Sequence, residues 1–176
     1  DAVTPQGAVA IARSPLIPAP EISSWDLVLV LEQVRDPGNA GALLRAAVAA
    51  GASAVIFALD SVDATNSKTV RASAGALFRV PVAGGAALEQ VAELAHGAGA
   101  TVVGAETEAA LSLYEADLRG PLVVVVGNEA HGLSGGRATL LDETVSIPMP
   151  GPQESLNVSL AGALVLFEAV RQRLYT

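Results

Sequence analysis

The sequence predicts an α/β fold, a mostly parallel sheet flanked by helices. Three observations carry that expectation. Short, continuous apolar runs, Leu27 to Leu31 and Leu122 to Val126 above all, read as strands covered on both faces. Stretches with helical periodicity alternate with them, the order expected when crossover helices join parallel strands. Hydrophobic residues make up 51% of the chain but aromatics only 3%, so the core is built from Ala, Val and Leu, small side chains that suit close packing of helices on a sheet. At 176 residues, one domain with a sizeable core is expected.

Taken in order, residues 1 to 24 contain Pro5, Pro15, Pro18 and Pro20, with Gly7 breaking any helix. They read as an extended lead-in, a linker or an edge segment, and residues 25 to 176 as the domain. Leu27 to Leu31 is the first strand. Asp36-Pro37-Gly38-Asn39 is a turn, and Ala40 to Ala50 a helix stopped by Gly51. Ala54 to Phe57 is the second strand and Ser67 to Ala76 a short helix. Ala86 to Ala98 is a helix with Leu88, Val91, Leu94 and Ala95 on one face. Thr101 to Val103, Leu122 to Val126 and Thr144 to Ile147 are the remaining strands. Val158 to Leu174 is a long final helix in which only Ser159 and Gly162 interrupt the apolar residues up to Phe167. A helix apolar all round is buried all round, so one face is expected on the sheet and another on a second copy of the chain.

The net charge of −8 is not that of a nucleic-acid binder, but its distribution is uneven. Residues 35 to 79 carry a net +2, through Arg35, Arg45, Lys68, Arg71 and Arg79, whereas residues 80 to 170 carry −9. A polyanion would meet the first region; the plainer reading is a solvated acidic surface. The absence of cysteine excludes disulfides and thiolate metal sites, and His96 and His131 alone do not make a zinc site, so no metal is expected. No apolar run approaches the roughly 18 residues of a membrane span, and no signal peptide is visible. The cytoplasm is the expected location. The chain opens on Asp1 rather than Met, which suggests a piece of something longer.

Neither a G-x-G-x-x-G turn nor a Walker A loop follows the first strand, which argues against a dinucleotide or P-loop enzyme. Three other loops stand at strand exits or helix entrances, where backbone amides can hold polar groups. They are Asp36-Pro-Gly-Asn39-Ala-Gly41 with Arg45 a turn later, Gly127-Asn128-Glu129-Ala-His131-Gly132, and Ile147-Pro-Met149-Pro-Gly-Pro-Gln-Glu154-Ser155-Leu156-Asn157-Val-Ser159. Singly, each has a plainer explanation: Asn39, Ser155 or Asn157 as a helix cap, Gly127-Asn128 as an ordinary turn. Glu129 is less easily dismissed, because an acid at the exit of an apolar strand needs a partner.

In order and spacing the three loops resemble the motifs of the SpoU (TrmH-like) class of the SPOUT superfamily, S-adenosylmethionine-dependent RNA 2'-O-ribose methyltransferases. Lys68-Thr-Val-Arg71-Ala-Ser73-Ala-Gly75-Ala-Leu-Phe78, Thr4-Pro5-Gln6-Gly7 and the closing Glu168 with Arg171-Gln172-Arg173 are also similar to that class, so the resemblance covers nearly the whole chain. It implies a deep C-terminal trefoil knot, which no periodicity shows, and homodimers joined through the final helix. It implies that residues 1 to 24 lead in from an N-terminal RNA-binding domain. It places S-adenosylmethionine among Gly104, Ala105, Glu106, Gly127, Asn128, Ile147, Met149, Leu156 and Ser159. It makes Asn39, Arg45, Glu129, Ser155 and Asn157 the catalytic set, and Arg35, Lys68 and Arg71 candidate RNA contacts. The implied reaction is methylation of a ribose 2'-hydroxyl in structured RNA, with ribosomal RNA ranked ahead of transfer RNA. The alternatives are an inactive SPOUT-like RNA-binding or assembly protein, and a SPOUT enzyme that methylates a base nitrogen.

Overall fold

The computed structural model describes Gly7, residues 11–127, Leu133 and residues 137–175. Eight strands form one sheet: β1 (Leu16–Ile17), β2 (Leu27–Leu31), β3 (Ala54–Ala58), β4 (Val82–Ala86), β5 (Thr101–Ala105), β6 (Leu111–Ser112), β7 (Leu122–Val126) and β8 (Glu143–Ser146). Their order is β1-β4-β3-β2-β7-β5-β8-β6, and every pairing is parallel. The helices are α1 (Pro37–Ala49), α2 (Ser67–Ala72), α3 (Leu88–Gly97) and α4 (Val158–Leu174).

Alternation along the strands explains the layers. Leu27, Leu29 and Leu31 of β2, with Leu122, Val124 and Val126 of β7, face Leu43, Leu44 and Ala47 of α1 and Val165, Leu166 and Ala169 of α4. Val28, Val30, Val123 and Val125 point the other way, onto Leu88, Val91 and Ala95 of α3. Both central strands are therefore buried over their whole length, as their unbroken apolar runs required. At Gly162, a Cβ would lie 2.5 Å from Leu43 Cδ2 and 3.1 Å from Val126 Cγ1, so this glycine lets α4 approach α1 and β7.

The structure departs from the sequence expectations in several places. Asp36, not Asn39, caps α1: its Oδ2 accepts from the Asn39 N–H at 2.8 Å, and Pro37 opens the helix. The helix expected over 67–76 ends at Ala72, where Ala74 (φ 48°) and Gly75 (φ 86°) turn the chain into a 3-10 turn, Ala76–Phe78. β4 occupies residues placed before and inside the next helix, so α3 starts at Leu88. In the lead-in, Leu16–Ile17 pairs with Val82–Ala83 as the edge strand, and Ala19 and Ile22 are buried beneath α3's side of the sheet. The final helix does pack one face on the sheet as expected, and on its other face Leu160, Leu164, Phe167 and Leu174 are 40–68% exposed.

Candidate active site

Pairing of Ala105 with both Val126 and Val145 sets the carboxyl ends of β7, β5 and β8 side by side. Glu106, Gly127 and Ser146-Ile147 leave the sheet at one stretch of its edge, and the ladder runs one bond further through Glu106 N–H to Val145 O at 3.0 Å. On the other side of β7, the Glu32 N–H donates to Val126 O at 2.9 Å. Ligands of open α/β sheets sit at this edge, near the strands where the winding direction changes. Here the chain winds outward to β3 and β4 on one side of β2, then crosses to β5 on the other side, and β7 enters later between β2 and β5.

Of the residues expected to hold a cofactor, Gly104, Ala105, Glu106, Gly127 and Ile147 lie at or beside this edge. Gly127 is buried, and Ala105, Glu106, Ile147, Met149 and Leu156 are half-buried. Ala105 and Ile147 both pack against the larger core cluster. Half-buried apolar side chains beside strand-end amides fit the flat, weakly charged face of an adenine. Gly104 and Glu106 also have plainer duties. A Cβ on Gly104 would collide with Leu141 Cδ1 and come within 2.6 Å of Leu133 Cδ1. Glu106 Oε1 accepts from the Leu133 N–H at 2.7 Å. Gly104 thus leaves room for Leu133 and Leu141 beside β5, and Glu106 holds the Leu133 amide. Asp142 steadies the entry to β8, its Oδ2 accepting from the Val102 N–H at 2.8 Å while His96 Nε2 lies 3.0 Å away. The Val102 amide chiefly holds the Asp142 carboxyl below the usual carboxylate range, with His96 adding to it.

Asn39 and Asn157, both expected in the catalytic set, meet directly. Asn157 Oδ1 caps α4 by accepting from the Ser159 N–H at 2.9 Å and the Ser159 hydroxyl at 2.6 Å. That fixes the amide's orientation, so Nδ2 donates to Asn39 Oδ1 at 3.0 Å. The amino ends of α1 and α4 are thereby tied together, so that the partial positive charge of both helix ends falls in the same region. Arg45 is exposed on α1. It lies one turn beyond Gly41, whose missing side chain lets α1 cross α2 against Ala72 and Ser73. Ser155, Arg35, Lys68 and Arg71 are exposed as well. None of these side chains, nor that of Arg45, has an ion pair with a described acid. Asn128, Glu129 and His131 fall outside the described residues, as do Thr4, Pro5 and Gln6.

The closing residues of the third motif lie at the far end of α4 and hold the scaffold. Arg171 pairs with the buried Glu168 at 2.7 and 2.8 Å. Gln172 grips the 116–118 segment through Ala116 O and the Leu118 N–H. Arg173 donates to Gly120 O and Asp26 O. The Arg171 guanidinium holds the Glu168 carboxyl below its ordinary range. A further acid stands at the site that the motifs do not include: Glu32, 3% exposed just after β2. The signal was available, since an acid ending an apolar strand is the same feature that singled out Glu129. Among the described residues, no group of three or more His, Asp or Glu side chains is placed to hold a metal ion.

These features define a ligand-binding α/β domain whose polar side chains converge at the carboxyl edge of a parallel sheet. The chain belongs to the SpoU rRNA Methylase family, whose model matches residues 26–167. It is 46% identical over 148 residues, 84% of the chain, to the 23S rRNA (guanosine-2'-O-)-methyltransferase RlmB of Xanthomonas axonopodis pv. citri, and spans 59% of that protein. It is 38% identical over 169 residues to an uncharacterized tRNA/rRNA methyltransferase of Mycolicibacterium smegmatis, covering 96% of the chain and 52% of the relative. Among solved structures, the SpoU methyltransferase AviRb of Streptomyces viridochromogenes, in complex with AdoMet, superposes with a TM-score of 0.78 at 33% identity. That match covers 94% of this chain and 60% of AviRb. An RNA 2'-O ribose methyltransferase matches with a TM-score of 0.77 at 36% identity, over 97% of this chain and 62% of that one.

Proposed function

We propose that this chain is the methyl-transferring unit of an RNA ribose 2'-O-methyltransferase that uses S-adenosylmethionine and acts on ribosomal RNA. The observation that carries the reading is the Asn39–Asn157 hydrogen bond. It joins two family motifs beside the edge where Glu106, Gly127 and Ile147 emerge. When bound, S-adenosylmethionine supplies a methyl group already activated by its positive sulfur. The protein's share is then to orient the 2'-hydroxyl and manage its proton.

Arg45 binds the phosphate beside the target ribose and stabilises negative charge growing on the 2'-oxygen. A guanidinium does not lose its proton at working pH, so Arg45 is not the base. Asn39 and Asn157 position the ribose, with Ser155 beside them. Glu129 takes the proton through water, or holds an arginine of a second copy. Asn128, Met149, Leu156 and Ser159 complete the cofactor's surroundings. Arg35, Lys68 and Arg71 contact RNA phosphates.

Two further parts belong to the same reading. One is the trefoil knot of the class. The other is a homodimer seated on the α4 stripe of Leu160, Leu164 and Phe167, whose exposure is what a helix apolar on two faces presents when one face lacks its cover. Residues 1 to 24 lead in from a further RNA-binding unit, with Leu16–Ile17 built into the sheet edge. A ribosomal RNA substrate places the protein in the cytoplasm, and no described helix is long and apolar enough to cross a membrane.

The test is Arg45→Ala. The variant should bind S-adenosylmethionine in calorimetry as the parent does, yet transfer methyl groups to a 23S rRNA transcript roughly a hundredfold more slowly. Near-normal transfer would remove Arg45 from the mechanism. A base-methylated nucleoside in the digested product would overturn the ribose reading.

A further inference from the structure

We propose that Phe78 is a stacking platform for an unpaired base of the RNA near the reacting nucleotide, with Arg71 and Arg79 on the adjoining phosphates. This rests on the RNA-methylating reading above and names a contact that reading leaves out.

The chain has three phenylalanines. Phe57 is buried at 2% exposure, whereas Phe78 is 60% exposed. Its outward position is enforced by the backbone. Ser73 closes α2 by donating its hydroxyl to Val70 O at 2.8 Å. Ala74 and Gly75 then take consecutive left-handed conformations, φ 48° and 86°. The resulting 3-10 turn buries Ala76 and Leu77, at 5% and 1% exposure, and displays Phe78 and Arg79. Turning Phe78 inward would expel Leu77 from the core. A left-handed alanine is disfavoured, and such outliers persist where the surroundings over-determine them, often beside binding sites.

The turn's location and charge point to RNA. The turn packs on α1, the helix that carries Arg45, next to the close crossing of Gly41 against Ala72 and Ser73. From Ala64 to Leu88 there is no Asp or Glu, although the whole chain carries a net −8. Lys68, Arg71 and Arg79 are all exposed in that interval, and none pairs with an acid among the described residues. An aromatic face set among unpaired cations is the arrangement that single-stranded nucleic acid selects, since every base has a π-face and every link a phosphate. The exposed stripe on α4 lacks this signature: Arg171, the cation on its line, is already paired with Glu168. Apolar cover from protein suits α4, and RNA suits Phe78.

The experiment uses the full chain, its Phe78→Ala and Phe78→Trp variants, a short mixed-sequence single-stranded oligoribonucleotide, and the same sequence as a duplex. Filter binding of Phe78→Ala to the single strand should weaken roughly ten- to hundredfold, with duplex binding little changed. Phe78→Trp should restore it. With a 23S rRNA transcript as methyl acceptor, the loss should appear in KM rather than kcat, and S-adenosylmethionine affinity by calorimetry should not move. Unchanged single-strand binding by Phe78→Ala overturns the proposal. So does a shift of that variant to a smaller species on a sizing column, which would assign Phe78 to a contact between copies. If single-strand binding depends on Phe78 but the parent transfers no methyl group, the methyltransferase reading fails while this RNA contact stands.

Discussion

Gly41→Ala should destabilise the domain, against the usual effect of placing alanine in a helix. A Cβ at this position would collide with Ala72 Cβ and lie 2.7 Å from Ala72 C and 2.8 Å from Ser73 N. Two of those three atoms are backbone, so no side chain can rotate aside and α2 must retreat by about 1 Å to restore ordinary contact. Overpacking of this kind costs about 1–3 kcal/mol, and the upper end applies because the obstacle is main chain. Alanine returns about 1 kcal/mol of helix propensity. The net loss is therefore about 2 kcal/mol, or roughly 4–8 °C in Tm for a domain of this size. Gly97→Ala is the matched control. Nothing lies within 4 Å of its Cβ position at the end of α3, so it should be neutral or gain up to about 1 kcal/mol. Urea denaturation of parent and both variants measures the difference directly. If Gly41→Ala unfolds at or above the parent's midpoint, the α1–α2 crossing is not as tight as described, and Gly41 has no packing role.

Three further outcomes can be checked. Asn157→Asp keeps the acceptor that caps α4 but removes the donor to Asn39, so it should melt close to the parent while losing at least about tenfold in methyl transfer; Asn157→Ala should lose a further ~1 kcal/mol of stability, and normal activity in the aspartate variant would separate Asn39 and Asn157 from the reaction. Glu168 ionises more readily folded than unfolded because Arg171 donates to it, so its contribution is complete above the unfolded carboxylate value of about 4.3 and fades as pH falls through the lower folded value; the urea midpoint of Glu168→Gln should fall less steeply than the parent's below about pH 5, and parallel slopes would contradict this. Leu164→Asp, on the exposed stripe of α4, should convert the proposed dimer to a monomer in sedimentation without lowering the monomer's helicity, and a parent that already sediments as a monomer, or an unchanged mass, would remove α4 as a dimer contact.

Most of the central fold was legible, because the strands buried on both faces, Leu27–Leu31 and Leu122–Val126, can be nothing but apolar. The edges were not. Val82-Ala-Gly-Gly-Ala86 lacks the β-branched pattern of a strand, and Gly85 sits at φ 75° where the register against β3 shifts. Leu16–Ile17 is two residues long among prolines, held by pairing with β4 rather than by any propensity of its own. In the site, Asn39 and Asn157 were legible as separate loop residues, but their mutual hydrogen bond depends on the sheet order, which no local pattern encodes. The double service of Asn157, as cap and as donor, is likewise a tertiary fact. Glu168 and Arg171 to Arg173 follow the third motif in sequence, but α4 carries them away from it, toward the opposite end of the helix.

The bond between Asn39 and Asn157 spans 118 positions, which has a consequence for how the protein matures. β2 and α1 come early in the chain, yet the residue that completes their polar pair arrives with α4, after β7 has entered between β2 and β5. If the pair belongs to the active centre, as proposed, a chain emerging from the ribosome has no competent centre through most of its synthesis, and contacts of such long range form slowly. Activity becomes a report on finished folding: partly folded or C-terminally clipped molecules would be silent rather than promiscuous. If the chain is the ribosomal RNA methyltransferase proposed above, that silence keeps immature copies from modifying RNA they cannot yet select.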